Sequence, residues 1–520
     1  MRVGRLCTLF CVLAFLFALA PALAGSASDA VTQDEASQIV HTQSRNEYAL
    51  LIGVDYFVSR ADTYPSSTNN VNAMQEVFQG ALNPFRAIIV PPDPVTTVEQ
   101  LTALIQKAFG AAQEGDVCYL YLSTHGVYDP ASGQEPMLLL SDGQTENGVT
   151  PAQLEAAFDG ILGTKVLILD ACNSGAFIGK GLPSLPEEVH FLGDDFKVIT
   201  SSGALEESWY WSVDDQNEAG TAGQGSFYFT QALVQSLSAA YGYPADQNRD
   251  GCVVLSELYE YLVLNHAAST PQVYPQSDDF VVFRYDASQP LPTGLARAPI
   301  MDVTFSGATL SRTSRQITIE FIAMRPVRVA YQVVYQRDGK WEFDHAQLIY
   351  DEAERFTAYG DQPGAISAGR KVRTLTLGEL DEGVYGYAMV QLVTIDQGKL
   401  TVHAGRVISI PPDTADMTLT ASVADTFNPS GGRELSIFIG HEYPCALSVS
   451  ILNEEAQVVH RLCHRQSTRP MQMNPEGTVL YWNGRLKDGA MAEPGVYRVR
   501  AEAVMNDTTV TVLSSAFTIQ

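Results

Sequence analysis

Two short stretches carry side chains with reactive chemistry. Tyr121-Leu122-Ser123-Thr124-His125-Gly126 closes one apolar run, and Leu169-Asp170-Ala171-Cys172-Asn173-Ser174-Gly175 closes another. A thiol with an ordinary pKa of about 8.5 is mostly protonated at neutral pH. An adjacent imidazole can take that proton, or stabilise the thiolate left behind, and so create a nucleophile for acyl transfer. His125 and Cys172 are therefore a candidate base and nucleophile, provided the fold brings them together. Gly126 and Gly175 let a substrate backbone come close, and the amides of Gly126 and Cys172 are candidates to hold a tetrahedral oxyanion. The competing reading is plain: a cysteine at a strand end is often a small buried hydrophobe, and a single histidine a satisfied polar residue.

The elements that must position these residues are legible as alternating runs. YALLIGVD (48–55), AIIV (87–90), VCYLYLS (117–123), KVLILD (165–170) and FKVITSS (196–202) are continuously apolar, with MLLL (137–140) a shorter example. Such runs predict strands buried on both faces. Between them, helical periodicity covers 69–78, 98–109, 151–158 and 226–240. The alternation predicts an α/β fold, a mostly parallel sheet with helices on both faces. Ligand crevices in such sheets lie at the carboxyl ends of the strands. His125 and Cys172 both fall there.

STHG after one buried strand and LDACNSG after the next long one resemble the caspase-like cysteine peptidases, the clan of metacaspases, legumain and clostripain. The likeness runs over 45–285, with the opening IGVD strand and GSFYFTQAL before a closing helix in matching order. It implies a caspase-like α/β sandwich in which Cys172 is the nucleophile and His125 the general base, then the acid for the leaving amine. Asp170 lies two residues before Cys172, so on an extended segment both point to one face. In metacaspases and clostripain-like enzymes an acid at this place helps line the P1 pocket. The resemblance thus implies that Asp170 favours Arg or Lys through charge-assisted hydrogen bonds; the alternative is that it only caps the following turn. Legumain has Glu here and prefers Asn, so the acid alone does not fix specificity. Asp55, Ser201, Ser202, Glu206 and Glu207 extend the candidate substrate-binding set, with Trp209 and Trp211 as subsite walls. The alternative is a solvated acidic turn with core aromatics.

A second motif concerns metal. Asp246-Gln247-Asn248-Arg249-Asp250-Gly251, followed after five residues by Glu257, matches an EF-hand calcium loop. The ligands would be Asp246, Asn248, Asp250, the carbonyl of Cys252 and a bidentate Glu257. Gly251 supplies the sharp turn, and Val254 at position nine leaves that ligand to water. Tyr241-Gly242-Tyr243-Pro244 breaks any incoming helix. The expectation is one EF-like Ca2+ loop pinning the last helix of the domain, against the alternative of an acidic turn and helix cap without metal.

The rest of the chain sets compartment and organisation. Arg2 and Arg5, an apolar run from Leu6 to Leu19, and Ala22-Leu23-Ala24 before Gly25 predict a signal peptide over 1–24. An uncleaved anchor is the alternative. The expected location is outside the cell or in a bacterial periplasm. Residues 25–45 read as a leader, 46–286 as the peptidase domain, and 287–299 as a linker. Alternating short strands over 297–411 and 414–520 predict two Ig-like β-sandwiches of the usual size of roughly 100 residues. YWNGRLKDGAMAEPGVYRVRAEA in the last resembles the Ig-like domain of flagellar hook-capping proteins. Of the cysteines past the signal peptide, Cys445 and Cys463 bracket a hairpin centred near Glu454, which predicts a cross-strand disulfide. Cys118 reads as a buried strand residue.

Composition removes some functions. Hydrophobic residues make up 46% of the chain, which excludes intrinsic disorder. With 32 basic against 59 acidic residues and a net charge of −27, a general nucleic-acid binder is excluded. The expected partners are protein or peptide substrates, with a cell-surface or envelope partner through the C-terminal sandwiches. The leading reading is a secreted cysteine endopeptidase with a basic P1 preference. The alternatives are a legumain-like transpeptidase and a catalytically silent scaffold acting as a binding or adhesion module. Under a basic P1 rule, Arg45 and Lys180 are expected self-cleavage sites.

Overall fold

The computed structural model describes residues 45–520 except 60–65, 184–185, 187, 214–223, 267, 308, 312–314, 338–339, 343–344, 355–361, 378–384, 397–398, 413–416, 432, 470–476 and 507. The expected signal peptide and most of the leader lie outside the described residues. Among the described residues, no helix is long and apolar enough to cross a membrane.

The first part of the chain builds one central sheet. Its strands are β1 (Glu47–Gly53), β2 (Ala87–Ile89), β3 (Val117–Ser123), then, beyond the small strands β4 (Gly126–Val127), β5 (Met137–Ser141) and β6 (Glu146–Val149), β7 (Thr164–Asp170) and β8 (Phe196–Thr200). All five pair in parallel in the order β8-β7-β3-β1-β2. Residues 272–274 add an antiparallel edge beside β8. The strands read as unbroken apolar runs because both faces are covered. Leu50, Leu120, Leu122 and Leu167 pack against the helices of residues 98–109 and 151–156 through Leu101, Ile105 and Leu154. The alternate residues Ala49, Leu51, Tyr119, Tyr121 and Ile168 face Val71, Met74 and Phe78 of 66–79, Phe229 and Leu233 of 228–236, and Leu258 and Leu262 of 255–265. Burying each such aliphatic side chain stabilises the fold by about 1.5–3 kcal/mol. MLLL does not join the main sheet; β5 sits between β4 and β6 in a separate three-stranded sheet.

Two all-β parts follow. In the first, the sheet of 300–306, 316–323 and 369–376 shares a core with the sheet of 327–337, 386–396 and 399–410, through Ile317, Ile319 and Phe321 against Val329, Val333 and Leu392. In the second, 419–423, 435–441 and 477–482 share a core with the sheet of 446–452, 458–467, 495–505 and 517–519, through Ile437, Ile439 and Trp482 against Val449, Val499 and Phe517. Period-two alternation along these strands reflects one buried face each.

The first β part packs directly on the α/β part. Tyr228 and Ala268 of the α/β part share a buried cluster with Val334, Trp341, Met389 and Val402. Gln231 and Gln235 both donate side-chain N–H bonds to the carbonyl of Val402, at 2.8 and 2.7 Å.

The expected disulfide is a correction. Cys445 and Cys463 are free thiols. Irregularities at 447–449 and 451–452 shift the hairpin register, so that Cys463 stands opposite Val449 while Cys445 exchanges hydrogen bonds with Thr468. A symmetric hairpin would have placed the two opposite one another. The offset of four residues corresponds to roughly 13 Å of strand at about 3.3 Å per residue.

Candidate active site

Ser123 and Asp170 are register partners at the carboxyl ends of adjacent parallel strands β3 and β7. The Thr124 amide then donates to the Asp170 carbonyl at 3.1 Å. His125 and Cys172 each lie two residues beyond this pair, so sheet register alone brings them to one end of the domain. The loops touch at Gly126, where a Cβ would lie 1.7 Å from the Cys172 carbonyl oxygen. Glycine is required there by close approach. Gly126 and Cys172, the expected oxyanion donors, are thus in backbone contact.

His125 is nearly buried, at 8% exposure, and the Phe57 ring meets it edge-on with centroids 4.5 Å apart. The loop carrying Phe57 is latched by Glu146, whose carboxylate accepts from the Val58 and Ser59 amides at 2.8 and 3.2 Å. Cys172 is half-buried, with Sγ 3.5 Å from the Ser208 carbonyl.

The turn bearing the thiol is braced on both sides. Asn173 adopts φ 56°, in the left-handed region, and its amide donates to the Glu206 carbonyl at 2.8 Å. Its side chain donates to the Ala204 carbonyl at 2.8 Å. The Ala171 amide donates to Ser201 Oγ at 3.0 Å, and the Ala171 carbonyl accepts from the hydroxyls of Ser201 and Ser202 at 3.1 and 3.0 Å. Ser201 was expected to face substrate. Fully buried, it holds the nucleophile's turn instead.

Asp170 is also fully buried. Its carboxylate accepts from Ser208 Oγ at 3.1 Å and from Thr230 Oγ1 at 2.6 Å. Burial pushes its carboxyl up to about 6, against the opposing pull of the Thr230 and Ser208 hydroxyls. Ser208 therefore touches both the thiol, through its carbonyl, and Asp170, through its hydroxyl. Neither Ser208 nor Thr230 was singled out in the sequence, although Thr230 lies in GSFYFTQAL; hydroxyls leave no periodic signal.

Two more residues of the expected substrate-binding set, Asp55 and Glu206, are engaged by neighbouring donors. Asp55 caps the helix at 66–79: its carboxylate accepts from the Ser67 amide at 2.7 Å, and from the Thr68 amide and hydroxyl at 3.1 and 2.5 Å. The Glu206 carboxylate accepts from the Gly203 amide at 3.0 Å and from the Thr270 amide and hydroxyl, both at 2.8 Å. Each acid accepts from backbone amides and one threonine hydroxyl. Trp209 packs against the cluster shared with the first β part, and the side chain of Trp211 lies outside the described residues.

In the candidate calcium loop the acidic groups cap the loop's own amides. Asp246 accepts from Arg249 N at 2.7 Å, from Gly251 N at 3.0 Å and from the Tyr285 hydroxyl at 2.6 Å. Asn248 Oδ1 accepts from Asp250 N, and Asp250 Oδ1 from Cys252 N, at 2.9 and 2.8 Å. Glu257 accepts from Gln247 N and Val254 N at 3.2 and 3.1 Å. Gly251 has φ 86°, as the turn requires. Among the described residues no group of three or more His, Cys, Asp or Glu is gathered tightly enough to hold a metal ion. The loop has the turn pattern of a calcium site with its carboxylates turned to amides.

The expected self-cleavage residues are both engaged. Lys180 is 3% exposed, and Arg45 bonds Glu47 and the Val281 carbonyl, each at 2.8 Å. Neither side chain is offered to a P1 pocket in this fold.

The chain belongs to the caspase-domain family: that family's model matches residues 46–397, well over half of the sequence. The match runs past the α/β part and covers most of the first β part. No curated protein matches the chain. Among solved structures it is similar to the protein GSU0716 of Geobacter sulfurreducens, at 14% identity over 46% of this chain and 100% of that one, with a TM-score of 0.32. It is also similar to dimeric latent PorU of Porphyromonas gingivalis, at 12% identity over 49% of this chain and 23% of that one, with a TM-score of 0.17. Family membership therefore rests on the family match, and protein or peptide substrates follow from it as a class.

Proposed function

We propose that this protein is an exported cysteine endopeptidase in which Cys172 attacks the scissile carbonyl and His125 serves as base and then acid. The observation that carries the proposal is the backbone contact between Gly126 and Cys172 at the ends of two register-matched strands. It sets the imidazole-bearing loop against the thiol-bearing turn, as acyl transfer requires. The thiol adds to the carbonyl carbon, His125 receives the thiol proton, and that proton passes to the leaving amine as the acyl-thioester forms. Water then hydrolyses the thioester with His125 as base. Amides of Gly126 and Cys172 are the assigned oxyanion donors.

Cleavage after Arg or Lys is the favoured specificity, because Asp170 is the acid beside the nucleophile. A P1 guanidinium or ammonium would take over the carboxylate now held by Ser208 and Thr230. Ca2+ in the Asp246–Glu257 loop is part of the same proposal: binding would turn Asp250 and Glu257 from amides to the ion. Export rests on the Leu6–Leu19 and Ala22-Leu23-Ala24 pattern. The Ig-like character of the β parts, and their contact with a surface partner, rest on their alternating strands.

The test is covalent labelling with an acyloxymethyl ketone carrying Arg or Lys at P1, followed by peptide mapping. Modification of Cys172 in wild type, lost in His125→Ala, is expected. A probe that leaves Cys172 unmodified while the protein is folded would contradict the proposal and favour a silent scaffold. Adding an amine nucleophile to a turnover reaction separates hydrolysis from transpeptidation.

A further inference from the structure

The last β part reaches back across the sequence to the loop that follows Cys172. Lys180, buried, donates to the Val273 carbonyl at 2.6 Å and lies 3.4 Å from the Glu434 carboxylate. Its ammonium stands 4.6 Å above the Tyr481 ring. The Gly181 amide donates to the Tyr481 hydroxyl at 2.6 Å, and the Gln276 amide to Glu434 at 2.8 Å. From this anchor a hydrogen-bond chain runs to the nucleophile's turn: Ala204 N to Lys180 O at 2.9 Å, Lys180 N to Gly175 O at 2.8 Å, and Gly175 N to Ser202 O at 2.9 Å. Ser202 Oγ in turn holds Ala171 O.

A second route ends at the same turn. Arg469 donates to the carbonyls of Ser269, of His266 at 3.1 Å and of Val263 at 3.4 Å. Ser269 Oγ donates to the Ser201 carbonyl at 2.7 Å, and Ser201 Oγ bonds both polar groups of Ala171. A cleft lined by Gly203, Glu206, Thr270, Cys463 and Arg469 runs along the seam. Individual polar contacts, rather than a continuous apolar interface, hold this end of the two parts together.

The geometry points to a positioning role for the terminal β part: Tyr481 and Glu434 clamp the loop Gly175–Gly181, Arg469 holds the segment that carries Ser269, and the two routes together fix the turn that carries Cys172. This rests on the reading of Cys172 as nucleophile. Displacement of a nucleophile by about 1 Å can cost on the order of 100-fold in rate. The loss should therefore appear in kcat with KM little changed, since none of the three residues is placed against substrate.

The test uses the full chain with Tyr481→Phe, which keeps the ring beneath Lys180 and removes only the hydroxyl accepting from Gly181, and with Glu434→Gln, which keeps an acceptor for Gln276. Melting temperature, amide hydrogen exchange over 172–182, and kcat and KM on a fluorogenic peptide are measured together. The expected result is faster exchange in that segment and a fall in kcat of tenfold or more, with the melting temperature of the α/β part retained. Unchanged exchange and unchanged kcat in both variants would overturn the clamp. Faster exchange in a protein whose wild type shows no turnover would support the clamp and count against the reading of Cys172.

Discussion

Asp170 and Thr230 meet in the interior of the α/β part, carboxylate to hydroxyl at 2.6 Å, directly beneath the turn that carries Cys172. A buried carboxylate so placed is costly, and two hydroxyl donors offset only part of that cost. With its carboxyl pushed up to about 6 from an ordinary 3.8, it is half protonated in mildly acid solution. The native state then binds more protons than the unfolded chain between about pH 4 and 6. Its contribution to stability is fully present below pH 4 and is lost as pH rises through 6, on the order of 3 kcal/mol in all. Asp170→Asn should flatten that part of the stability–pH curve, leave the melting temperature at pH 8 no lower, and abolish turnover after Arg. Turnover after Arg equal to wild type would remove Asp170 from the P1 pocket.

The contact between Gly126 and Cys172 makes a sharper structural prediction. A methyl group at 126 would lie 1.7 Å from the Cys172 carbonyl oxygen, and neither backbone has a flexible side chain to move aside. Gly126→Ala should lower the melting temperature and reduce kcat/KM by 100-fold or more, through separation of the loops. Calorimetry and peptide hydrolysis check this. A fully active, equally stable variant would mean the two loops do not touch in solution.

Much of this arrangement is legible in the sequence, and the reasons are physical. VCYLYLS and KVLILD announce their strands because a sheet covered on both faces must be apolar throughout. The ends of those strands then locate His125 and Cys172 without further information. Side-chain direction is another matter. Asp55, Ser201 and Glu206 read as pocket residues because they sit near the right strand ends. What each carboxylate or hydroxyl bonds is set by residues elsewhere: Ser67 and Thr68 for Asp55, Ala171 for Ser201, and Thr270 for Glu206. Lys180 reads as a self-cleavage site, and only the docked β part shows that it faces Glu434 across a seam and that Arg469 faces backbone carbonyls there. Cys445 and Cys463 were paired by counting from a symmetric turn, which a bulged hairpin does not obey.

That register predicts the thiol count. Unfolded without reductant, the chain from residue 25 onward should titrate five thiols, Cys118, Cys172, Cys252, Cys445 and Cys463. Reductant should leave the melting temperature unchanged, because there is no closed loop to open. Three titratable thiols, with a mass two protons short in the peptides carrying Cys445 and Cys463, would restore the bridge.

Calcium is tested by its effect on stability. If the loop binds the ion in the native state alone, chelation should cost about 2 kcal/mol, or roughly 5 °C, in wild type and nothing in Glu257→Gln. Glu257 is the diagnostic position because it already spans the loop, bonding Gln247 at one end and Val254 at the other. Identical melting with and without chelator would leave the loop as a helix-capping turn.

The most direct test of the central claim is hydrolysis of fluorogenic peptides carrying Arg, Lys, Asn or Asp at P1, with Cys172→Ala as the blank. Turnover after Arg or Lys that vanishes in Cys172→Ala is the predicted result. Turnover after Asn alone would contradict the role given to Asp170, and turnover that persists in Cys172→Ala would contradict the nucleophile itself.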